Sequence, residues 1–400
     1  MPMPDALPAA LDLAWPVAVA LAWLLGELAQ RWNIPRIASY ALVGFLFGPA
    51  QLALMPTGGG GLGGLIANTA FGLILFEFGY RINLRWFRQN PWLAATGLLD
   101  VALSFLAVYA LSRVMGAAVL TSLLLASIAT ATSPASLTRV VNDLRSSGQV
   151  TERALHLSAV NCLCAVFAFK FIVGFWTFDT AGDAVKALSN SAVVVLVSMG
   201  LGVAFGSGMP PVLRLVGRYQ SDATVAFAIA VLLLVALTHL LHLSALVATL
   251  AFGLVARHRR VTLSQAQRNF GVLGDLLIVF LFVYVGASAD WRRAWAGLPL
   301  GAALVLVRAA AKVLAMSAFA RASGTTLRKG MLTALAMTPL STFVVLLLED
   351  SRHVGIDLID TVAPVAAATL LLQWLGPIAT QQALRAAGEV QDPQPGKARE

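Results

Sequence analysis

Charge is what this sequence has least of. Only 12% of its 400 residues are Asp, Glu, Lys or Arg, about half the share of a soluble domain, which excludes an ordinary water-soluble globule. Cysteine is nearly absent as well. Cys162 and Cys164 lie two apart on one predicted helix, so their side chains point to different faces and form neither a disulfide nor a metal clip. The ~10-residue segments of alternating polarity that mark an outer-membrane barrel are missing. So are a Ser/His/Asp set, a metal-ligand cluster and a nucleotide loop, which argues against an enzyme and against a cofactor. The run "GGGGLGG" (58–64) is followed by no Gly-Lys-Ser/Thr and reads as a flexible loop. The N-terminus is acidic and proline-rich and does not read as a cleavable signal peptide.

What the chain has in abundance is apolar sequence. Hydrophobic residues make up 58% of it and mean hydropathy is +0.80. Apolar runs of ~20 residues, long enough to span ~30 Å of hydrocarbon, recur from end to end. Thirteen spans are expected, at about 11–29, 37–49, 62–80, 92–112, 117–137, 154–176, 187–206, 222–238, 243–256, 271–288, 297–318, 331–348 and 359–384. Of the 28 Lys and Arg residues, 20 fall in loops after odd-numbered spans or in the C-terminal tail, and five in the opposite loops. Lys170, Arg308 and Lys312 lie inside spans. This bias predicts an N-terminus outside and a C-terminus in the cytoplasm, in a multi-pass protein of the inner (plasma) membrane. The net charge of +9 comes from these short loops, not from a basic domain, so nucleic acid is not an expected partner; the lipid bilayer is.

Thirteen spans divide into halves of six, about 11–176 and 222–384, around a linking span at about 187–206. The second half is then inverted relative to the first, a common transporter plan. Span 5 contains "IATATSPASL" (128–137), with Thr130, Thr132 and Ser133 before Pro134. Span 12 contains "ALAMTPLSTF" (334–343), with Thr338, Pro339, Ser341 and Thr342. Proline removes a backbone donor, and bare backbone at this depth is tolerated where it lines protein or water. The matched positions point to paired broken helices rather than two ordinary proline kinks.

With these residues in place, the chain resembles the monovalent cation:proton antiporter superfamily, particularly its Kef-type and NapA-like sodium/hydrogen exchanger branch. The similarity is carried in order by "LLGELAQRWNIPRIASYALVGFLFGP" (24–49), "FGLILFEFGYRINL" (71–84), "ATSPASLTRVVNDLRSSGQVTERAL" (131–155), "FLFVYVGASAD" (280–290), "VRAAAKVLA" (307–315) and "LRKGMLTALAMTPLSTFVVLLL" (327–348). The resemblance implies an all-α fold whose broken helices cross. It also implies a mobile core of residues 92–176 and 297–384, a second bundle that mediates homodimerisation, and exchange of sodium or potassium for protons. No cytosolic nucleotide-binding domain is expected before Glu400.

The chain departs from its family where ions bind. The resemblance places an Asp-Asp or Asn-Asp pair in span 6, and here those positions are Asn161 and Cys162. Ser341-Thr342 and Thr132-Ser133-Pro134 likewise stand where relatives often carry an acid. The basic position of span 11 is kept as Lys312, with Arg308 one turn earlier. A hard cation prefers oxygen ligands including a carboxylate, and a buried ammonium needs a partner. Asp100, ~12 Å into span 4 at 1.5 Å per residue, is the candidate partner for either Lys312 or Arg308. It serves as a relocated titrating carboxylate or as half of a static ion pair. Retained cations without the acids leave open an anion or a neutral solute as cargo, or a non-transporting regulatory role.

Overall fold

The computed structural model of the chain describes residues 6–32, 34–55, 62–177, 184–216, 223–241, 243–259, 270–340 and 363–390. Among these residues the secondary structure is helical, with no strand. The first half comprises α1 (Ala6–Arg31), α2 (Arg36–Phe47), α3 (Leu62–Arg81), α4 (Leu84–Gln89), α5 (Pro91–Val114), α6 (Val119–Thr130), α7 (Pro134–Asp143) and α8 (Gln149–Thr177). Then follow α9 (Ala184–Val216), α10 (Ala223–Leu240), α11 (Ala245–His258), α12 (Gly271–Ala287), α13 (Trp291–Ala296), α14 (Leu298–Ala318), α15 (Leu327–Ala336) and α16 (Ala363–Ala386). Among the described residues, six stretches are long and apolar enough to cross a membrane, one of them formed by α6 and α7 together.

Two boundaries differ from expectation. The linking span does not stop near 206 but runs on to Val216 through Pro210 and Pro211. Of the run expected to be a glycine loop, Leu62, Gly63 and Gly64 already belong to α3, because the apolar sequence behind them propagates helix backwards; residues 58–61 lie outside the described residues.

Span 5 is broken. Its first part, α6, ends at Thr130, and its second part, α7, starts at Pro134. Ser133 caps the new helix by accepting the Ser136 N–H at 3.2 Å, and proline at the first helical position leaves no N–H to satisfy. Likewise α15 ends at Ala336 short of Pro339. The two interruptions meet: the Ser133 N–H donates to the Pro339 carbonyl at 3.0 Å. Ser341 and Thr342 lie outside the described residues.

The inverted halves leave a mark in the glycines. In the α2–α12 crossing, a Cβ on Gly44 would stand 2.1 Å from Val283 O and one on Gly286 2.3 Å from Ala41 O. In the α3–α11 crossing, a Cβ on Gly79 would stand 2.2 Å from Leu250 O and one on Gly253 2.0 Å from Phe76 O. The pair Ala41/Gly44 thus corresponds to Leu250/Gly253, and Val283/Gly286 to Phe76/Gly79. Backbone-to-backbone packing through small residues is how membrane helices approach closely.

Hydrogen bonds also show which helix ends share a face. Arg257 Nη1 donates to Tyr80 O at 3.1 Å, Arg153 Nη1 to Ser323 Oγ at 2.8 Å and Lys329 Nζ to Gln149 Oε1 at 3.0 Å. The arginine-bearing ends of α3, α8, α11 and α15 therefore assemble at one end of the bundle. At the opposite end Gln51, after α2, donates to Ala289 O, after α12, at 3.1 Å.

Candidate ion-binding crossing

Three helices bring polar side chains to the break between α6 and α7. α8 brings Asn161 and Cys162, α5 brings Asp100 and Ser104, and α14 brings Arg308 and Lys312. Asp100, Asn161 and Cys162 are fully buried, Lys312 is 1% exposed and Arg308 3%. Charges this deep in an apolar bundle persist only with partners, and each has them.

The choice the sequence left between Arg308 and Lys312 is resolved by geometry. Lys312 Nζ donates to Asp100 Oδ2 at 2.7 Å. The same oxygen accepts from Asn161 Nδ2 at 2.7 Å, and Ser104 Oγ donates to Asp100 Oδ1 at 3.2 Å. The second Asn161 N–H reaches Thr132 Oγ1 at 3.3 Å. With both amide protons used, Asn161 Oδ1 is buried without a hydrogen-bond partner among the described residues. Turning the amide over would set that oxygen against the Asp100 carboxylate, so the network itself chooses the orientation.

Arg308 has a different task. Its Nε donates to Ala129 O at 2.7 Å and its Nη2 to Ala131 O at 2.8 Å, both at the C-terminus of α6. Its Nη1 donates to Thr338 O at 2.6 Å and its Nη2 to Met337 O at 3.4 Å, just past the C-terminus of α15. Each helix C-terminus carries roughly half a negative charge. Two of them meeting head-on sum to about one, and one guanidinium neutralises them. The planar five-donor fork can reach four carbonyls at once, which an ammonium cannot.

The Cys162 thiol donates to Thr132 O at 3.0 Å, and Thr132 Oγ1 donates to Met337 O at 3.4 Å. Thr132 is thus held from both sides of the crossing. Thr130 Oγ1 turns back on its own helix, donating to Ser127 O at 2.7 Å, and takes no part in the cluster. Cys162 and Cys164 are not joined in a disulfide. Among the described residues no group of three or more His, Cys, Asp or Glu is placed to hold a metal ion.

Sequence reasoning missed Ser104, although its place one turn beyond Asp100 puts it on the same face. It also missed a polar contact at the Arg-rich end. There α7 presents Arg139 to Asp275 of α12 and Asn142 to Glu77 and Arg81 of α3. No local signal announces partners this far apart in the chain.

The architecture is that of a secondary transporter: inverted halves, a broken helix whose interruption meets the end of α15 within the bundle, and buried charge at that crossing. The family model for the transmembrane sodium/hydrogen exchanger matches residues 17–384, and the chain belongs to that family. The fold is similar to the sodium proton antiporter MjNhaP1 of Methanocaldococcus jannaschii in its structure at pH 8. The TM-score is 0.67 at 17% identity, covering 96% of this chain and all of the other. A second structure of the same antiporter, from electron microscopy, also gives 0.67 at 17%, covering 95% and 98%. No curated protein sequence matches this chain. The protein is a cation:proton antiporter of the sodium/hydrogen exchanger family.

Proposed function

We propose that this antiporter exchanges one sodium ion for one proton at a relocated site, with Asp100 as the ion-binding carboxylate and Lys312 as the proton carrier. The observation that carries this reading is the 2.7 Å Asp100–Lys312 pair beside Asn161 Oδ1, which has no hydrogen-bond partner among the described residues. In the proton-loaded state the Lys312 ammonium balances Asp100. An arriving sodium ion competes for the same carboxylate, with Asn161 Oδ1 and Thr132 Oγ1 as further oxygen ligands. Metal ion and ammonium together beside one carboxylate repel strongly at low dielectric, so Lys312 releases its proton as sodium binds.

Arg308 does not titrate in this scheme, because four carbonyls hold its charge in both states. The Cys162 thiol, donating to a carbonyl, keeps its proton. An anion as cargo finds no support, since both buried cations at the crossing are already committed. Potassium as a second substrate, a homodimer and a cytoplasmic Arg-rich end fit the same scheme; the last rests on the charge bias of the loops. The core is proposed to comprise residues 92–176 and 297–384, moving against the rest.

The test is sodium-driven proton movement in proteoliposomes containing a pH dye. Wild type should respond to sodium. The double variant Asp100→Asn/Lys312→Met should be silent yet unfold near the wild-type temperature. Full exchange in that double variant would overturn the reading.

A further inference from the structure

Between the proposed core and the rest of the bundle, the Arg-rich end is closed by contacts that the exchange chemistry does not use. All of them involve α7 or its neighbour α8. Glu77 Oε1 of α3 accepts from Arg81 Nη2 at 2.9 Å and from Asn142 Nδ2 of α7 at 2.9 Å. Arg81 Nη2 also donates to Asn142 Oδ1, which closes a three-membered ring of side chains. One turn away, Arg139 pairs with Asp275 of α12 and lies 3.1 Å from Asp143. A third link joins the Asn83 N–H, just after α3, to His156 Nε2 of α8 at 2.8 Å.

The links stand at two levels along α7, with Arg139 three residues nearer the crossing than Asn142. Glu77 is 3% exposed, whereas the Asp275 side chain is 60% exposed. Each link joins a buried side chain to a more exposed one, Glu77 to Arg81, whose side chain is 17% exposed, and Arg139 to Asp275. The ring begins eight residues along α7 from Pro134, ~12 Å at 1.5 Å per residue. Nor can α7 swing alone: its start is bonded to Pro339 O and it is buried from Pro134 to Val141. Parting it from α3 and α12 moves the whole crossing with it.

We infer that Glu77, Arg81, Asn142, Arg139 and Asp275 form the gate that seals the ion site from the Arg-rich end, and that the gate parts whenever the site loads or unloads on that side. The inference rests on the proposed two-part movement. It adds an interlocked polar clasp to that movement, with a ring on α3 and a pair on α12 both held by α7. Weakening the clasp shifts the molecule toward the state open at the Arg-rich end.

The test reads accessibility and not transport. In a Cys164→Ala background Cys162 is the sole cysteine, fully buried and next to the site. Its reaction with a membrane-impermeant charged methanethiosulfonate is timed in right-side-out and inside-out vesicles. Variants are Asp275→Asn, at the exposed end of the Arg139 pair, Asn142→Ala, in the side-chain ring, and Arg85→Gln, an exposed control. Labelling from the Arg-rich side should rise about tenfold in Asn142→Ala, the effect of ~1.4 kcal/mol taken from the closed state. It should rise less in Asp275→Asn and stay unchanged in Arg85→Gln and from the opposite side. Equal labelling in all variants, or a rise from both sides alike, would overturn the gate. The sodium-driven dye assay on the same vesicles separates this from failure of the exchange reading, since a gate can operate in a protein that moves no sodium.

Discussion

Asp100 is a carboxylate whose charged and amide partners, Lys312 and Asn161, are both supplied by other helices. Breaking a buried pair from one side leaves an uncompensated charge and costs about 3–5 kcal/mol, whereas removing both partners is often near neutral. Asp100→Asn alone should therefore lower the unfolding temperature markedly, and adding Lys312→Met should restore most of it. Exchange should be lost in both, which separates the transport role from the static one. If the double variant stayed as unstable as the single, the pair would not be the chief stabilising contact of Asp100. Arg308→Lys keeps the charge but gives up the fork that serves four carbonyls. Hydrogen bonds to a charged group contribute about 1.5–3 kcal/mol each, so a clear fall in thermal stability is expected even though net charge is unchanged. Lys312 was legible in the sequence as a retained base, and Asp100 as its possible partner. That Arg308 instead holds the helix ends was not legible, because its acceptors are backbone carbonyls that become free only when two distant helices break at the same depth.

At the scale of helices, the glycine crossings are the stiffest joints. A methyl group on Gly44 or Gly253 meets a carbonyl oxygen at 2.1 or 2.0 Å, far inside van der Waals contact, and the obstacle is backbone that cannot rotate away. Gly253→Ala and Gly44→Ala should each cost at least the ~1–3 kcal/mol typical of overpacking, read as a fall of several degrees in detergent. Gly200→Ala, with open space around the added methyl, should not. A second joint lies at the start of α8. The Glu389 carboxylate accepts from the Val150 and Thr151 N–H groups at 2.8 Å each and from Thr151 Oγ1 at 2.9 Å. It caps the helix that carries Asn161 from a segment 238 residues away. Glu389→Gln weakens that cap without changing its shape and should lower stability by about 1 kcal/mol. Apolar length predicted the helices themselves, and proline after a Thr/Ser cluster predicted the break in span 5. The cap and the crossings depend on which ends come together, which no local window contains.

For the whole molecule the decisive quantity is the charge that moves. With Lys312 protonated, the crossing holds one negative and two positive groups; with sodium in place of that proton, the count is the same. Exchange should therefore be electroneutral. Clamping the membrane potential with potassium and valinomycin should leave the initial rate of sodium-driven proton movement unchanged, while a rate that follows the potential would point to a second titrating group.

Composition and the period of apolar runs were enough to establish a polytopic helical membrane protein, because the bilayer demands ~20 apolar residues per crossing whatever the helices later touch. Matched prolines in spans 5 and 12 were enough to suggest crossing broken helices, since a missing donor is a property of the residue alone. The assignment of each buried charge was decided only in three dimensions. Asp100 lies 212 residues from Lys312 and 61 from Asn161, and Arg139 lies 136 from Asp275. Electrostatic partnership depends on distances of a few ångströms, and chain order does not encode those distances until the helices have packed.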